Sequence, residues 1–485
     1  MITVFINEAK FEYDIHSLVK AFYPKENVKV LLKGEFPDLV KEKEEDMVFE
    51  IRFASDLVSM YYENGEMLYS LPILSETERA GEKNIVKRLV YLALSKHTGK
   101  TLVWGDLTGI RPTKIARTLL DEGKKDDEIL AYMKETYLVS DEKALLSIDI
   151  AKRERSILSK INYEKGYSLY IGIPFCPTTC LYCSFTSNPV AKWRKRVSDY
   201  LDALIKEIEF VGQARKDKVL DTIYIGGGTP TTLEPDELTR LFEAIRANFD
   251  LSNLLEFTVE AGRADSITRE KLEVLKKYGV DRISVNPQTM NQKTLDIIGR
   301  RHTVEDVERA YWDARELGFS NINMDIILGL PGEDIPEVQR TIDRIVELSP
   351  DSLTVHSLAI KRGSKLSEWI LQNGYDTMVN TSDTMEIACE GAKKMGMEPY
   401  YLYRQKNMAG NFENTGYAKD GAYGIYNILI MEEVEPIVAL GPGSVSKIIT
   451  PKGTLERSDN VKDVALYIDS IDEMIERKKV LFSLE

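Results

Sequence analysis

Tyr170-Ile-Gly-Ile-Pro-Phe-Cys176-Pro-Thr-Thr-Cys180-Leu-Tyr182-Cys183 decides how this chain is read. Three of the four cysteines in 485 residues lie inside it, spaced Cys-x3-Cys-x2-Cys. Cysteines scattered at random would not gather this way. A structural zinc site wants four closed ligands, and no fourth Cys or His stands close in sequence. Disulfides fail because three clustered thiols cannot pair off, and disulfide scaffolds are shorter and richer in cysteine. Three thiolates suit a 4Fe-4S cluster with one iron left open. An apolar strand, Ser168 to Ile173, feeds the cysteines into a loop that Pro174 and Pro177 keep out of helix.

The spacing resembles the signature of radical S-adenosylmethionine (SAM) enzymes. That resemblance implies that the open iron chelates the amino and carboxylate groups of SAM. One electron then cleaves the sulfonium C–S bond, and a 5′-deoxyadenosyl radical takes hydrogen from unactivated carbon. The cofactor carries the hard chemistry and the protein orients it.

Outward from the cysteines, a strand–helix rhythm begins. The strands are Ser168–Ile173, Thr222–Ile225, Glu256–Glu260, Arg282–Asn286, Ile322–Leu328 and Ser352–Leu358. Helical patterns Trp193–Gln213, Pro235–Ala247, Thr268–Tyr278, Val304–Leu317 and Glu337–Leu348 alternate with them. Six such units predict an α/β fold, a partial (β/α)6 barrel, with functional residues at the carboxyl ends of the strands. Residues 1–160 read as a separate α+β and helical domain, 161–370 as the partial barrel and 371–485 as a C-terminal α+β extension. In the first, Ile2–Ile6, Val28–Leu32, Met47–Phe53 and Leu57–Tyr62 read as strands, and Asp14–Phe22, Lys83–Ser95 and Asp141–Lys160 as helices. Trp104-Gly-Asp-Leu-Thr-Gly109-Ile-Arg111-Pro112-Thr113-Lys114 reads as a capped helix start with two surface cations, or else as an anion or partner site. Past 370, Ser382–Met395 and Asp463–Lys478 read as helices, Pro399–Tyr403 and Asn427–Met431 as strands, and 404–424 as a long polar loop.

The formal net charge of −14 argues against a general nucleic-acid or anionic-membrane binder, though a local basic pocket is compatible with it. No run of about 18 apolar residues predicts a membrane span. The start, Met-Ile-Thr-Val-Phe-Ile-Asn-Glu, lacks the basic and apolar regions of a signal peptide. The expectation is a cytoplasmic monomer without membrane insertion, in a reducing compartment that suits an oxygen-sensitive cluster.

Gly226-Gly-Gly-Thr-Pro-Thr231 follows the second strand. It is neither a dinucleotide nor a P-loop fingerprint, and consecutive glycines let backbone approach a ligand without Cβ interference. Glu260 ends the third strand, where a carboxylate can accept both ribose hydroxyls of SAM, and Gln288 follows the fourth. Arg300 and Asp325 come next. Asp325 sits in an apolar run, so pairing with Arg300 or a ligand is expected. His356 reads equally as a hydrogen-bonded core histidine or a substrate contact, and His302 as a surface residue or one standing behind the site. Cys389 reads as a buried inert thiol. Lys361, Arg362, Arg404 and Lys406 read as cations near the mouth, able to bind substrate carboxylates or simply solvated.

These motifs occur in an order similar to that of the oxygen-independent coproporphyrinogen III oxidases (dehydrogenases) and their relatives, from about 166 to about 450. The N-terminal domain and Pro399-Tyr-Tyr-Leu-Tyr-Arg-Gln-Lys-Asn-Met resemble the family's long Gram-positive and clostridial branch. The resemblance implies that Cys176, Cys180 and Cys183 ligate the cluster. It implies that Tyr170, Tyr182, Gly227, Gly228, Thr229, Glu260, Gln288, Arg300 and Asp325 surround SAM, with Ala359 and Val445 matching more loosely. It implies oxidative decarboxylation of a tetrapyrrole's propionates to vinyl groups in haem biosynthesis, fed by an electron donor such as flavodoxin or ferredoxin. Three positions depart from the family: Phe185 replaces a fourth cysteine, Gly172 a histidine, and Asn286-Pro287 a glycine-valine. Relatives lacking that cysteine include a haem chaperone, and others are radical methyltransferases that open haem.

Overall fold

The computed structural model describes residues 1–33, 46–73, 78–109, 111–185, 187–361, 364–374, 378–405 and 411–485. The chain divides into two compact units, Met1–Lys152 with Leu402–Glu413, and Arg153–Tyr401 with Asn414–Glu485. Arg362 and Lys406 lie outside the described residues.

In the first unit, β1 (Ile2–Ile6), β2 (Val28–Leu32), β3 (Met47–Phe53), β4 (Leu57–Tyr62) and β5 (Met67–Pro72) form one sheet in the order β2-β1-β3-β4-β5. Its first two strands are parallel across the helix Glu12–Phe22, which buries Ile15, Leu18, Val19 and Phe22 at helical spacing. The helix Arg79–Thr98 adds Val86, Leu89, Val90 and Leu94 to the same core. A second cluster gathers around Trp104, fully buried, whose Nε1 donates to Glu413 Oε2 at 2.8 Å while Lys143 Nζ donates to Glu413 Oε1 at 2.7 Å. Arg404 is buried here, donating to the Leu107 carbonyl at 2.6 Å. It is no cation at an open mouth, because its guanidinium is spent on backbone carbonyls. The helix Thr113–Asp121 starts directly after Pro112, as the sequence suggests. β5 and the helix Asp126–Tyr137 were not legible by pattern.

The second unit is built on β6 (Gly166–Ile173), β7 (Phe175–Cys176), β8 (Asn188–Pro189), β9 (Val219–Gly227), β10 (Glu256–Gly262), β11 (Arg282–Val285), β12 (Asn321–Leu328) and β13 (Ser352–Ser357), followed by β14 (Glu398–Tyr403), β15 (Asn414–Ala418), β16 (Ile437–Leu440), β17 (Val445–Ile449) and β18 (Leu455–Asp459). One open sheet runs β14-β15-β13-β12-β11-β10-β9-β6-β16-β17-β18. Its six central strands are parallel and alternate with helices, the arrangement of a partial (β/α)6 barrel. The strands past residue 400 extend both edges: β15 runs antiparallel to β13, and β16 runs parallel to β6.

Three expectations for this stretch need correction. Asn427–Met431 belongs to a helix, Ile425–Glu432, because a short continuous apolar run does not tell a buried helix from a strand. The segment 404–424 is no plain loop, since β15 lies in it. The last helical pattern breaks at Ser470 into Val464–Asp469 and Ile471–Phe482. No helix among the described residues is long and apolar enough to cross a membrane.

Candidate functional site

The cysteine loop leaves the carboxyl end of β6. β7 and β8 pair in parallel, Cys176 opposite Pro189, and close the loop at its base. Asn188 donates from its backbone N–H (3.0 Å) and from Nδ2 (3.1 Å) to the Pro174 carbonyl. Leu181 N–H donates to the Ile298 carbonyl at 3.0 Å, and Thr178 Oγ1 to the Gly299 carbonyl at 3.0 Å. Cys176 and Cys180 are buried and Cys183 is half-buried. Burial pushes the Cys176 thiol up, and it does the same to Cys183, with Cys180 and Cys176 adding to the rise there. The thiols therefore share one electrostatic neighbourhood. Among the described residues no group of three or more His, Cys, Asp or Glu converges on a single metal ion.

Hydrogen-bond donors surround the sulfurs. Thr229 Oγ1 donates to Cys176 Sγ at 3.5 Å. Arg263 Nη1 donates to Cys180 Sγ at 3.5 Å and to the Thr178 carbonyl at 2.9 Å, while Asp265 grips its other edge at 2.9 and 2.6 Å. The Arg300 guanidinium is close enough to Cys180 for the two charges to favour each other, and its Nη2 donates to Tyr182 Oη at 3.1 Å. The glycine run is explained here by the protein's own chain. A Cβ on Gly228 would lie 2.5 Å from the Phe175 carbonyl oxygen and 3.0 Å from Cys176 Sγ, and Gly227 takes φ +103°.

The strand ends beside the loop carry the other residues. Tyr170 on β6 faces Tyr224 on β9 in register, and both rings stack with Tyr426, the Tyr224–Tyr426 centroids 4.6 Å apart. Tyr224 Oη donates to Glu260. Burial pushes the Glu260 carboxyl up to about 7, helped by nearby Asp325. Gln288 takes a left-handed φ of +67°, and its backbone zips to β12: its N–H donates to the Asp325 carbonyl and its carbonyl accepts from Ile327, both at 2.9 Å. That kink is one way to aim a side chain at a strand end. Gln288 Oε1 and Asn286 Oδ1 are buried without a hydrogen-bond partner, which suits a polar ligand.

Asp325 does not pair with Arg300. Arg300 turns to the Asn286 carbonyl and Tyr182, and Asp325 receives Asn323 Nδ2 at 2.7 Å with His356 Nε2 at 3.9 Å. Burial alone would raise its pKa, but His356 and Asn323 outweigh that and hold it below the usual range. His302 is buried rather than at the surface, its Nδ1 3.8 Å from Asp265. Cys389 is half-buried on the helix Ser382–Lys394. Ala359 follows β13, half-buried. Val445 opens β17, just beyond Gly441, where a Cβ would lie 2.3 Å from the Gly172 carbonyl oxygen. Sequence reasoning gave Arg263, Tyr224 and Tyr426 no role. The repeated Tyr-Ile-Gly of Tyr170–Gly172 and Tyr224–Gly226 was a usable signal for the second of these.

A thiol-bearing loop at the mouth of an open parallel (β/α) sheet defines a radical SAM protein, and the radical SAM superfamily model matches residues 170–345. The chain is 42% identical over 413 residues to the oxygen-independent coproporphyrinogen-III oxidase-like protein HemZ of Bacillus subtilis, covering 84% of this chain and 82% of that one. It is 33% identical over 310 residues to the haem chaperone HemW of the same organism, covering 63% and 76%. In fold it is similar to coproporphyrinogen III oxidase HemN from Escherichia coli, with a TM-score of 0.51 and 22% identity over 69% of this chain and 73% of that one. The chain belongs to the HemN/HemZ/HemW family of radical SAM proteins. Its cofactors are a 4Fe-4S cluster and SAM.

Proposed function

We propose that the protein is an oxidoreductase that oxidatively decarboxylates the propionates of coproporphyrinogen III to vinyl groups. The similarity to HemZ over most of both chains carries this reading. On this reading Cys176, Cys180 and Cys183 hold the cluster. Glu260 accepts the ribose hydroxyls, Tyr224 orients that carboxylate, and Gln288 offers its unpartnered oxygen to the amino-acid end of SAM. Tyr170, Tyr182, Gly227, Gly228, Thr229, Arg300 and Asp325 wall the same crevice, with Ala359 and Val445 at its margin. When bound, the cofactors supply a carbon radical able to take one hydrogen atom. Each propionate then loses that hydrogen to the radical, CO2 to solution and one electron to an external one-electron acceptor, leaving a vinyl group. Phe185, 70% exposed beside Cys183, has Lys361 Nζ 5.2 Å from its ring centre. A flat apolar face with an adjacent ammonium suits a macrocycle of pyrrole rings bearing carboxylates.

A second reading is a haem-binding delivery protein. It is favoured by the likeness to HemW and by Phe185 standing where the oxidases carry a fourth cysteine. An anaerobic assay separates the two. Reconstituted protein, SAM, dithionite and coproporphyrinogen III should give loss of two CO2 per substrate and matching 5′-deoxyadenosine by mass spectrometry. Stoichiometric haem binding with no porphyrinogen turnover would replace the oxidase by the delivery protein.

A further inference from the structure

The outer face of the cysteine loop is not closed. A groove of about 760 Å³ opens there, lined by Pro177, Thr178 and Thr179 between the first two cysteines, and by Arg300, Arg301 and Lys365. Asp296 is its one acidic lining residue, so the charged groups facing the groove are three cations and one anion. Arg301 and Lys365 are exposed, and the side chain of neither enters an ion pair or hydrogen bond with another described residue. This local excess of positive charge stands in a chain of net charge −14. An acidic molecule is repelled by most of such a surface and drawn to the exception. The groove also lies one residue from the sulfurs: Thr178, a lining residue between Cys176 and Cys180, accepts from the same Arg263 that donates to Cys180 Sγ, and Arg300, another, donates to Tyr182 beside Cys183.

We propose that this groove is the docking site for an acidic one-electron carrier protein, which brings its redox group against the outer face of the loop. The proposal rests on the reading that the three cysteines hold the cluster, and not on the identity of the substrate. One electron leaves the carrier's reduced flavin or iron–sulfur group and enters the cluster. The carrier is oxidised by one electron, the cluster is reduced by one, and no atom changes hands.

The test uses reconstituted holoenzyme and a reduced acidic flavodoxin as the probe, with dithionite as a small reductant that needs no docking. Cluster reduction is followed by electron paramagnetic resonance, and SAM cleavage by 5′-deoxyadenosine. Arg301→Glu with Lys365→Glu should slow flavodoxin-driven reduction about tenfold or more at low salt, the deficit shrinking as salt rises. Dithionite-driven reduction and SAM cleavage should match wild type. Should the double variant fold poorly, Arg301→Gln should show the same carrier-specific deficit in smaller measure. An unchanged flavodoxin rate overturns the proposal, as does an equal loss with dithionite. If only inorganic phosphate binding is lost, the groove is a small-anion site and the proposal fails. It also fails if flavodoxin never reduces a wild-type cluster that dithionite does reduce. Because neither readout requires porphyrinogen turnover, failure of the oxidase reading leaves this result interpretable.

Discussion

Gly228→Ala is the substitution whose cost follows most directly from the geometry. The added carbon would lie 2.5 Å from the Phe175 carbonyl oxygen and 3.0 Å from Cys176 Sγ. The first obstacle is backbone, so no rotamer change relieves it. Two short bonds hold the segments together: Gly228 N–H to the Ile173 carbonyl and Thr229 N–H to the Phe175 carbonyl, both 2.7 Å. Relief means lengthening one of them and carrying Cys176 outward. Overpacking a fitted site costs about 1–3 kcal/mol, and weakening a backbone bond adds about 0.5–1.5 kcal/mol. A combined cost of about 2–4 kcal/mol lowers the population of the closed loop roughly 30- to 700-fold at ~1.4 kcal/mol per tenfold. The strain is local, so the melting temperature should move little while iron and sulfide per chain after anaerobic reconstitution drop and SAM binding weakens. Gly109→Ala, with nothing within 4 Å of its added carbon, is the control. Wild-type iron content and SAM affinity in Gly228→Ala would refute the claim that the glycine run exists to let the chain close on the cysteine loop.

Cys180→Ala should abolish the iron–sulfur absorbance and all SAM cleavage; retained cleavage would remove the thiol from the cluster. Burial holds the Glu260 carboxyl at about 7, above its unfolded value, so its contribution to stability is full below ~4.3 and lost as pH rises through about 7. Because ribose hydroxyls donate to the ionised form, SAM affinity should rise over the same window, and Glu260→Gln should flatten that rise. Identical pH profiles for the two proteins would clear Glu260 of the role. Lys478 pairs at 2.6 Å with Glu207, both fully buried, and Glu207 also accepts from Asn460 Nδ2 and from Gly441 N–H beside the end of β6. Lys478→Met should therefore destabilise by about 3–5 kcal/mol, read as a fall in melting temperature. Glu207→Gln in that background should recover part of it, and no recovery would mean that lost packing, not an unpaired charge, set the cost.

The barrel strands were legible because each is a short apolar run ended by glycine or polar residues, with an amphipathic helix following. β1 to β4 came out with their observed ends for the same reason. β5 and the helix Asp126–Tyr137 were missed, and the misread elements lie past residue 400. Ile425-Tyr-Asn-Ile-Leu-Ile-Met has no period that separates helix from strand, and β16, to which β17 and β18 attach in turn, joins the sheet through β6, hundreds of residues away. Nothing local encodes that pairing. The site was legible at single positions and not in its pairings. Asp325 needed a partner, and burial logic said so, but the expected partner was Arg300 or a ligand, whereas Asn323 and His356 stand beside it. Tyr426 was out of reach because its helix was read as a strand.

Those pairings also explain the distribution of charge. Three thiols in one loop, two of them buried, are costly to ionise without compensation. The compensation does not come from the loop, whose described residues include no cation between Cys176 and Cys183. It comes from Arg263 after β10 and Arg300 after β11, each fixed by a second partner, Asp265 for one and the Asn286 carbonyl for the other. Cations held in place by neighbouring strand ends favour the anionic states of whatever the sulfurs bind, and hydrogen bonds to sulfur are among the main determinants of a cluster's potential. Arg300, which donates to Tyr182 beside Cys183, also lines the groove. One set of charges thus serves two ends: it stabilises the thiolates from within, and it leaves an exposed positive edge on a chain that is otherwise acidic.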